Sequence, residues 1–274
     1  MPVPQCIRVL RDRVPDGPAR DTAVCRALLD AVARREQPES LRLWRPDAAL
    51  AFAVADRTRP GFPRAVAAAH AAGFAPFLRL AGGHAAVYTG VSLAFAWTRP
   101  LDDAYAGLED RFRELSSLVA GALRRLGVDA RVGPVAGEYC PGAHSVNARG
   151  RVKLMGVGQR VVRGAAHVGG VIVVNDAARA REVLVPVHAA LGLDFDPSTV
   201  GGVGEESPAA TCEDVAGALL AELGARYDLA EAQLEAATHA RARALEPQYR
   251  IEADAAAPRS PDPRPAGIAD ESRP

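Results

Sequence analysis

Apolar positions along this chain follow two periods. At 3–4 spacing Val24, Leu28, Ala31 and Val32 share one stripe, which with Asp21-Thr22 as a cap predicts a helix running to about Gln37, ended by Pro38. Residues 41–44 and 49–55 read as strands. Residues 60–73 are alanine-rich between a proline and a glycine, the asymmetry of a short helix. Residues 75–80 predict a strand leading into Gly82-Gly83, and 85–97 continue as strand. The clearest helical stripe follows: Asp102-Asp103 opens it, Tyr105, Leu108, Phe112, Leu115, Val119 and Leu126 share a face, and Gly127 stops it. Residues 128–132, 161–162 and 168–174 are β-rich. Residues 177–191 read as helix up to a break at Pro186, and 197–208 as a loop. Residues 211–227 read as a helix with a Thr211–Asp214 cap, and 228–245 as another helix. Strand and helix signals interleave, which predicts an α/β (α+β) chain.

The pattern also sets the domain plan. Residues 1–20 are a weakly patterned N-terminal segment and 21–250 form one domain. Residues 251–274, rich in Pro, Ala, Asp, Arg and Ser, read as a disordered tail.

Composition narrows the function classes. Hydrophobic residues at 49% and charged residues at 24% are ordinary for a globular protein. The 33 acids balance 33 bases, which argues against a general nucleic-acid or anionic-membrane binder. No apolar run reaches the roughly 18 residues of a membrane span, and no secretory h-region opens the chain. Cys6, Cys25, Cys140 and Cys212 show no C-x-x-C pair and no metal spacing with the six histidines. Four free thiols, a cytoplasmic location and no metal site are expected.

One residue breaks the chain's own habits. Lysine and arginine total 33, yet Lys153 is the only lysine. An ammonium kept where every other cation is a guanidinium suggests a need for a compact charge whose pKa shifts on burial. Cys140 lies upstream in a Pro-Gly turn, and a cysteine on a turn near a cation can be held as thiolate. A second candidate is Arg79-Leu-Ala-Gly82-Gly83-His84. The glycines permit close backbone approach, exposed N–H groups there can hold an oxyanion, and Arg79 supplies a fork for a carbonyl or carboxylate. A plain hairpin turn is the alternative. No helix pattern follows the glycines, so this is not a dinucleotide fingerprint. His167, beside Gly169-Gly170, reads as a strand histidine of no chemical role, with a place in the pocket lining as the alternative.

The segment Gly150-Arg-Val-Lys153-Leu-Met-Gly156-Val-Gly158-Gln159-Arg160 resembles the Gly-x-Lys-x-x-Gly-x-x-Gln-Arg segment of the biotin/lipoate ligase and octanoyltransferase superfamily. Val152 looks like one inserted residue. Residues 79–88 are similar to that superfamily's Arg-x-Ser-Gly-Gly motif, with Ala81 for the Ser and Thr89 for a His that often follows. Tyr139-Cys140-Pro141-Gly142 resembles the branch that carries a cysteine on this loop, the lipoyl-relay octanoyl amidotransferases. The resemblance covers roughly residues 20–225.

The resemblance implies a mixed β-sheet with packed helices, the biotin/lipoate-ligase (class II synthetase-like) fold, with a narrow acyl tunnel. It implies that Cys140 forms an octanoyl or lipoyl thioester, and that Lys153 lowers the thiol pKa and holds the acyl carbonyl oxygen. Arg79, Gly82, Gly83, His84, Gly156, Gln159 and Arg160 would then bind the acyl group or substrate. The partners implied are lipoyl-domain proteins, namely the H protein and dehydrogenase E2 subunits, or an acyl carrier protein. No metal or organic cofactor is required. Two alternatives stand beside this reading. One is an ATP-dependent lipoate–protein ligase, using ATP and Mg, with Cys140 a bystander. The other, kept open by the departures at Ala81 and Thr89, is a relative that binds the acyl group or carrier without turnover.

Overall fold

The computed structural model describes residues 6–103 and 106–252. Tyr105 of the expected stripe, the first five residues and the tail from residue 253 lie outside them. In chain order the elements are β1 (Cys6–Leu10), α1 (Pro18–Ala33), β2 (Ser40–Trp44), β3 (Ala49–Phe52), α2 (Phe62–Ala71), β4 (Ala75–Leu78), β5 (Ala86–Tyr88), β6 (Ser92–Pro100), α3 (Leu108–Arg125), β7 (Ala130–Val132), β8 (Val146–Ala148), β9 (Val152–Val162), β10 (Ala165–Val173), α4 (Ala177–Leu191), α5 (Val203–Glu206), α6 (Cys212–Gly224), β11 (Asp228–Ala232) and α7 (Ala236–Leu245).

Eight strands form the main sheet in the order β11-β1-β2-β6-β10-β9-β8-β7, and β4-β3-β5 form a small one. The pairings β11–β1–β2 are parallel, and those from β2 to β7 are antiparallel. This is the mixed sheet with packed helices that the resemblance implied.

Alternation along the strands gives the main sheet two different faces. On one, Leu41, Leu43, Phe95, Trp97, Val168 and Ile172 pack with Leu115, Val119, Val215 and Leu219 of α3 and α6. On the other, the register lays Arg42, Ala96, Gly169 and Gly158 side by side. Apart from Arg42 this row carries almost no side chain, so α1 crosses it with space to spare. A second core joins α1, α2, α4 and the small sheet.

Several elements depart from the sequence pattern. Residues 6–10 are a strand inside the main sheet, between β11 and β2, within the segment that looked unpatterned. The helix expected from Asp21-Thr22 begins at Pro18, so Asp21 falls in its first turn and is buried rather than capping it. The stripe helix starts at Leu108, after Gly107 in the left-handed region (φ 67°), and leaves Leu108 46% exposed. Pro186 does not end α4, which runs to Leu191. Pro186 sits on an exposed turn of the helix, where the carbonyl left without its N–H donor can reach water. Residues 228–232 form an edge strand, not a helix. The Thr211–Asp214 cap is present, with Asp214 N–H donating to Thr211 Oγ1 at 3.2 Å and Thr211 N–H donating to Asp214 Oδ2 at 2.9 Å.

Candidate active site

Cys140 lies in the left-handed backbone region, at φ 43°. Its Sγ accepts the His84 N–H at 3.2 Å and Arg79 Nη2 at 3.4 Å. Gly83 makes that meeting possible. At φ 102° it occupies a conformation other residues resist, and a Cβ there would lie 2.0 Å from Arg79 Nη2 and 2.9 Å from the sulfur. Gly82 has open space around it, so of the pair it is Gly83 that sterics demand. Burial pushes the Cys140 thiol up. Arg79, Lys153 and the His84 N–H outweigh it and leave the pKa below the ordinary thiol value.

Lys153 is buried, at 2% exposure. Its Nζ donates to Glu138 Oε1 at 3.2 Å, to the Tyr139 carbonyl at 3.0 Å and to the Cys140 carbonyl at 2.8 Å. Three N–H bonds meet three acceptors. Lys153 therefore grips the backbone of the cysteine rather than its sulfur and acts on the thiol through its field. In this arrangement no Nζ proton remains for an acyl carbonyl oxygen. Burial draws the Lys153 pKa down, against Glu138 and Cys140, which draw it up. The position of Lys153 is set by a β-bulge: Asn147 pairs with Lys153 and Val146 with Met155, leaving Leu154 unpaired between them.

Two acids complete the frame. Glu138, also buried, accepts from Val135 N–H, Gly142 N–H and Ser145 Oγ at 3.1, 3.0 and 2.7 Å, and so fastens the cysteine loop at both ends. Asp56, with no exposed surface, places Oδ1 2.9 Å from His84 Nδ1 and accepts the Ala53 N–H on Oδ2 at 2.9 Å. Asp56 was not singled out from sequence. It lies in a short 3₁₀ turn, residues 54–58, whose composition looks like any surface loop. For Glu138 a signal existed: an acid in the loop that leads to the only lysine.

A cavity of about 370 Å³ adjoins the thiol. Gly156, Gly158, Gly169 and Val171 of β9 and β10 line it, as do Cys25 of α1, Phe77 and Tyr88 from the small sheet, and residues 79–83. Gly158 is fixed by packing, because a Cβ there would come within 2.8 Å of the Ala81 Cβ. Of the other residues expected at the site, Gly156 and Gln159 line the cavity, while His84 and Arg160 are not among its lining residues. Gln159 accepts from Arg111 Nε at 2.6 Å and donates to the Leu108 carbonyl, bracing α3, and Arg160 is exposed. His167 lines the cavity, buried with Nδ1 unpartnered, and burial lowers its pKa to about 4. All four cysteines are free. Among the described residues no helix is long and apolar enough to cross a membrane, and no cluster of His, Cys, Asp and Glu could hold a metal.

Known proteins resemble this chain in sequence or in fold. The chain is 27% identical over 170 residues to the octanoyl-[GcvH]:protein N-octanoyltransferase of Geobacillus kaustophilus, a stretch covering 62% of this chain and 60% of that protein. It is 28% identical over 152 residues to the protein of the same name from Exiguobacterium sibiricum, covering 53% of each. The chain thus spans between half and three fifths of these relatives. Among solved structures, a lipoate-protein ligase A bound with ATP superposes with a TM-score of 0.71 at 20% identity, over 88% of this chain and 94% of that one. P. falciparum LipL1 in complex with lipoate does so with 0.66 at 12% identity, over 94% and 75%. These two likenesses show a common fold. The lipoyl protein ligase A/B catalytic domain matches residues 18–224, from the first turn of α1 to the end of α6, and the chain belongs to that family.

Proposed function

We propose that this chain transfers an octanoyl or lipoyl group from a carrier protein to the ε-amine of a lysine on a lipoyl domain, through a thioester on Cys140. The observation that carries this reading is the thiol itself: its pKa is lowered, Arg79 and a main-chain N–H hold it, and it lines a cavity with space for an acyl chain. The relatives are named for octanoyl-GcvH, which suggests a donor already carrying the acyl group as an amide. An acyl carrier protein would offer the same carbonyl as a thioester.

In the first step the Cys140 thiolate attacks the acyl carbonyl and a C–S bond forms. Charge passes to the carbonyl oxygen beside Arg79, whose Nε has no other partner, which makes it the candidate oxyanion donor. The donor's C–N bond then breaks, and its nitrogen takes a proton from solvent. In the second step the acceptor lysine attacks the thioester and the thiolate leaves. The covalent intermediate divides one hard displacement between two easier ones. The acyl group arrives already activated or amide-bound, so this reading calls for no metal or organic cofactor. The acceptors it names are lipoyl domains of the H protein or of dehydrogenase E2 subunits.

Intact-protein mass after mixing with an octanoylated carrier, without ATP, tests the reading. An octanoyl adduct on the wild type and none on Cys140→Ser is the expected result. An adduct on both would move the nucleophile elsewhere. No adduct on the wild type, with acylation of a lipoyl domain only when octanoate and ATP are supplied, would make the chain a ligase. Failure of both would leave a binding protein.

A further inference from the structure

The second step needs a base, and the lysine of the site is not free to be one. An acceptor amine loses two protons on its way to an amide, one before it attacks and one from the tetrahedral adduct. Lys153 has its three N–H bonds on Glu138, Tyr139 and Cys140. Glu138 is buried and occupied by Lys153, Ser145 and two main-chain N–H groups. Burial pushes the Tyr139 phenol far above its ordinary value. His144 also has one ring nitrogen on a carboxylate, Nε2 on Glu109 at 2.8 Å, but that carboxylate is 60% exposed and the ring is stacked on Phe112. His167 is buried in the cavity, and among the described residues no carboxylate pairs with it.

His84 differs from all of these. Its own N–H donates to Cys140 Sγ, so the imidazole is carried by the residue already touching the nucleophile. The side chain is 33% exposed. Its Nδ1 lies 2.9 Å from Asp56 Oδ1, and the buried Asp56 is itself held by the Ala53 N–H. A carboxylate only accepts, so Nδ1 carries the proton, and in a neutral imidazole the lone pair is then on Nε2. His84 is not among the residues that line the cavity.

We propose that His84 is the general base of the transfer step and that Asp56 is its positioning residue; the proposal rests on the thioester reading above. The acceptor amine, having given its first proton to water, attacks the thioester carbonyl. As the C–N bond forms, the ammonium proton of the adduct passes to His84 Nε2. The C–S bond breaks, Cys140 departs as the thiolate that Arg79 and the His84 N–H receive, and the imidazolium returns its proton to solvent. Asp56 holds the tautomer and stabilises the transient imidazolium, as a carboxylate behind a catalytic histidine does elsewhere.

The experiment separates the two half-reactions. Wild type, His84→Ala and Asp56→Asn are acylated with an octanoyl thioester of acyl carrier protein or coenzyme A, whose thiolate leaves without a proton, and discharge of the acyl-enzyme to a lipoyl domain is followed by intact mass. Both substitutions keep the main-chain N–H that holds the sulfur, so acylation should stay within a few-fold of wild type. Discharge to the lysine should slow roughly 10²- to 10⁴-fold in His84→Ala and less in Asp56→Asn. Hydroxylamine, whose adduct nitrogen is acidic enough to give its proton to water, should discharge all three at similar rates, and added imidazole should restore part of the His84→Ala transfer. Wild-type discharge to lysine by His84→Ala would overturn the proposal. So would a parallel loss of acylation and hydroxylamine discharge, which marks a structural role. If the wild type forms no adduct, the thioester reading falls and this proposal with it. If it does, and His84→Ala transfers normally, only the base is lost.

Discussion

Two cysteines line one cavity, each beside an arginine, and their thiols are driven in opposite directions. Cys25 lies 3.9 Å from Arg42 Nη1, and Cys140 lies 3.4 Å from Arg79 Nη2. Cys25 is raised, chiefly by burial. Arg42 pulls it down but is already committed to Asp21 at 2.5 Å, and the charge of Asp21 pushes the thiol up again. Cys140 is lowered in spite of burial. Arg79 forms no ion pair among the described residues, Lys153 adds a second charge, and the His84 N–H points at the sulfur. A nearby guanidinium is therefore not enough to hold a thiolate. It must be unneutralised, and a main-chain donor must help it.

Removing the uncommitted guanidinium should have the largest effect on this contrast. Arg79→Gln is expected to slow acyl-enzyme formation roughly 10²-fold, the scale of one lost oxyanion donor. It should also move the pH profile of Cys140 alkylation by iodoacetamide upward. The thiolate fraction falls as pH drops through the thiol pKa, and Arg79 is the strongest influence lowering that pKa, so at neutral pH the variant should react more slowly. An unmoved profile would break the comparison. Next comes the committed arginine. Asp21→Asn leaves Arg42 buried and unpaired and should cost about 3–5 kcal/mol in urea unfolding. The folded variant should still form the Cys140 adduct, and its Cys25 should alkylate faster than in the wild type. The smallest effect is expected for Cys25→Ala: about 1 kcal/mol of stability or less, with adduct formation unchanged. A lost adduct there would mean that the two cysteines share a role.

Much of the site is legible in the sequence because it stands out from local composition. Lys153 is a lone lysine, Gly82-Gly83 interrupts strand material, and Cys140 sits in a Pro-Gly turn. What escapes is whatever depends on chain segments meeting in space. Asp56 reaches His84 across 28 residues, and nothing near it in sequence marks an acid that will be wholly buried. Asp21 looks like a helix cap until Arg42 of β2 claims it. Periodicity marks the fold where it runs long, as in the helix ending before Gly127. It misleads at Asp228–Ala232, where Leu, Ala and Glu favour helix and pairing with β1 makes a strand. Residues 6–10 are too few for a period to show, and their place in the sheet comes from their neighbours.

Lys153 is the only lysine in the 274 residues, and it is enclosed with all three N–H bonds engaged. Under the proposed reaction this has a consequence for fidelity. A protein that carries an acyl thioester aimed at lysine amines risks acylating itself. Here the only lysine amine is out of reach, and every other residue of the lysine-plus-arginine total is an arginine, whose guanidinium stays protonated and does not attack carbonyls. Replacing exposed arginines with lysines, a mild change on most surfaces, would give this one a set of rival acceptors.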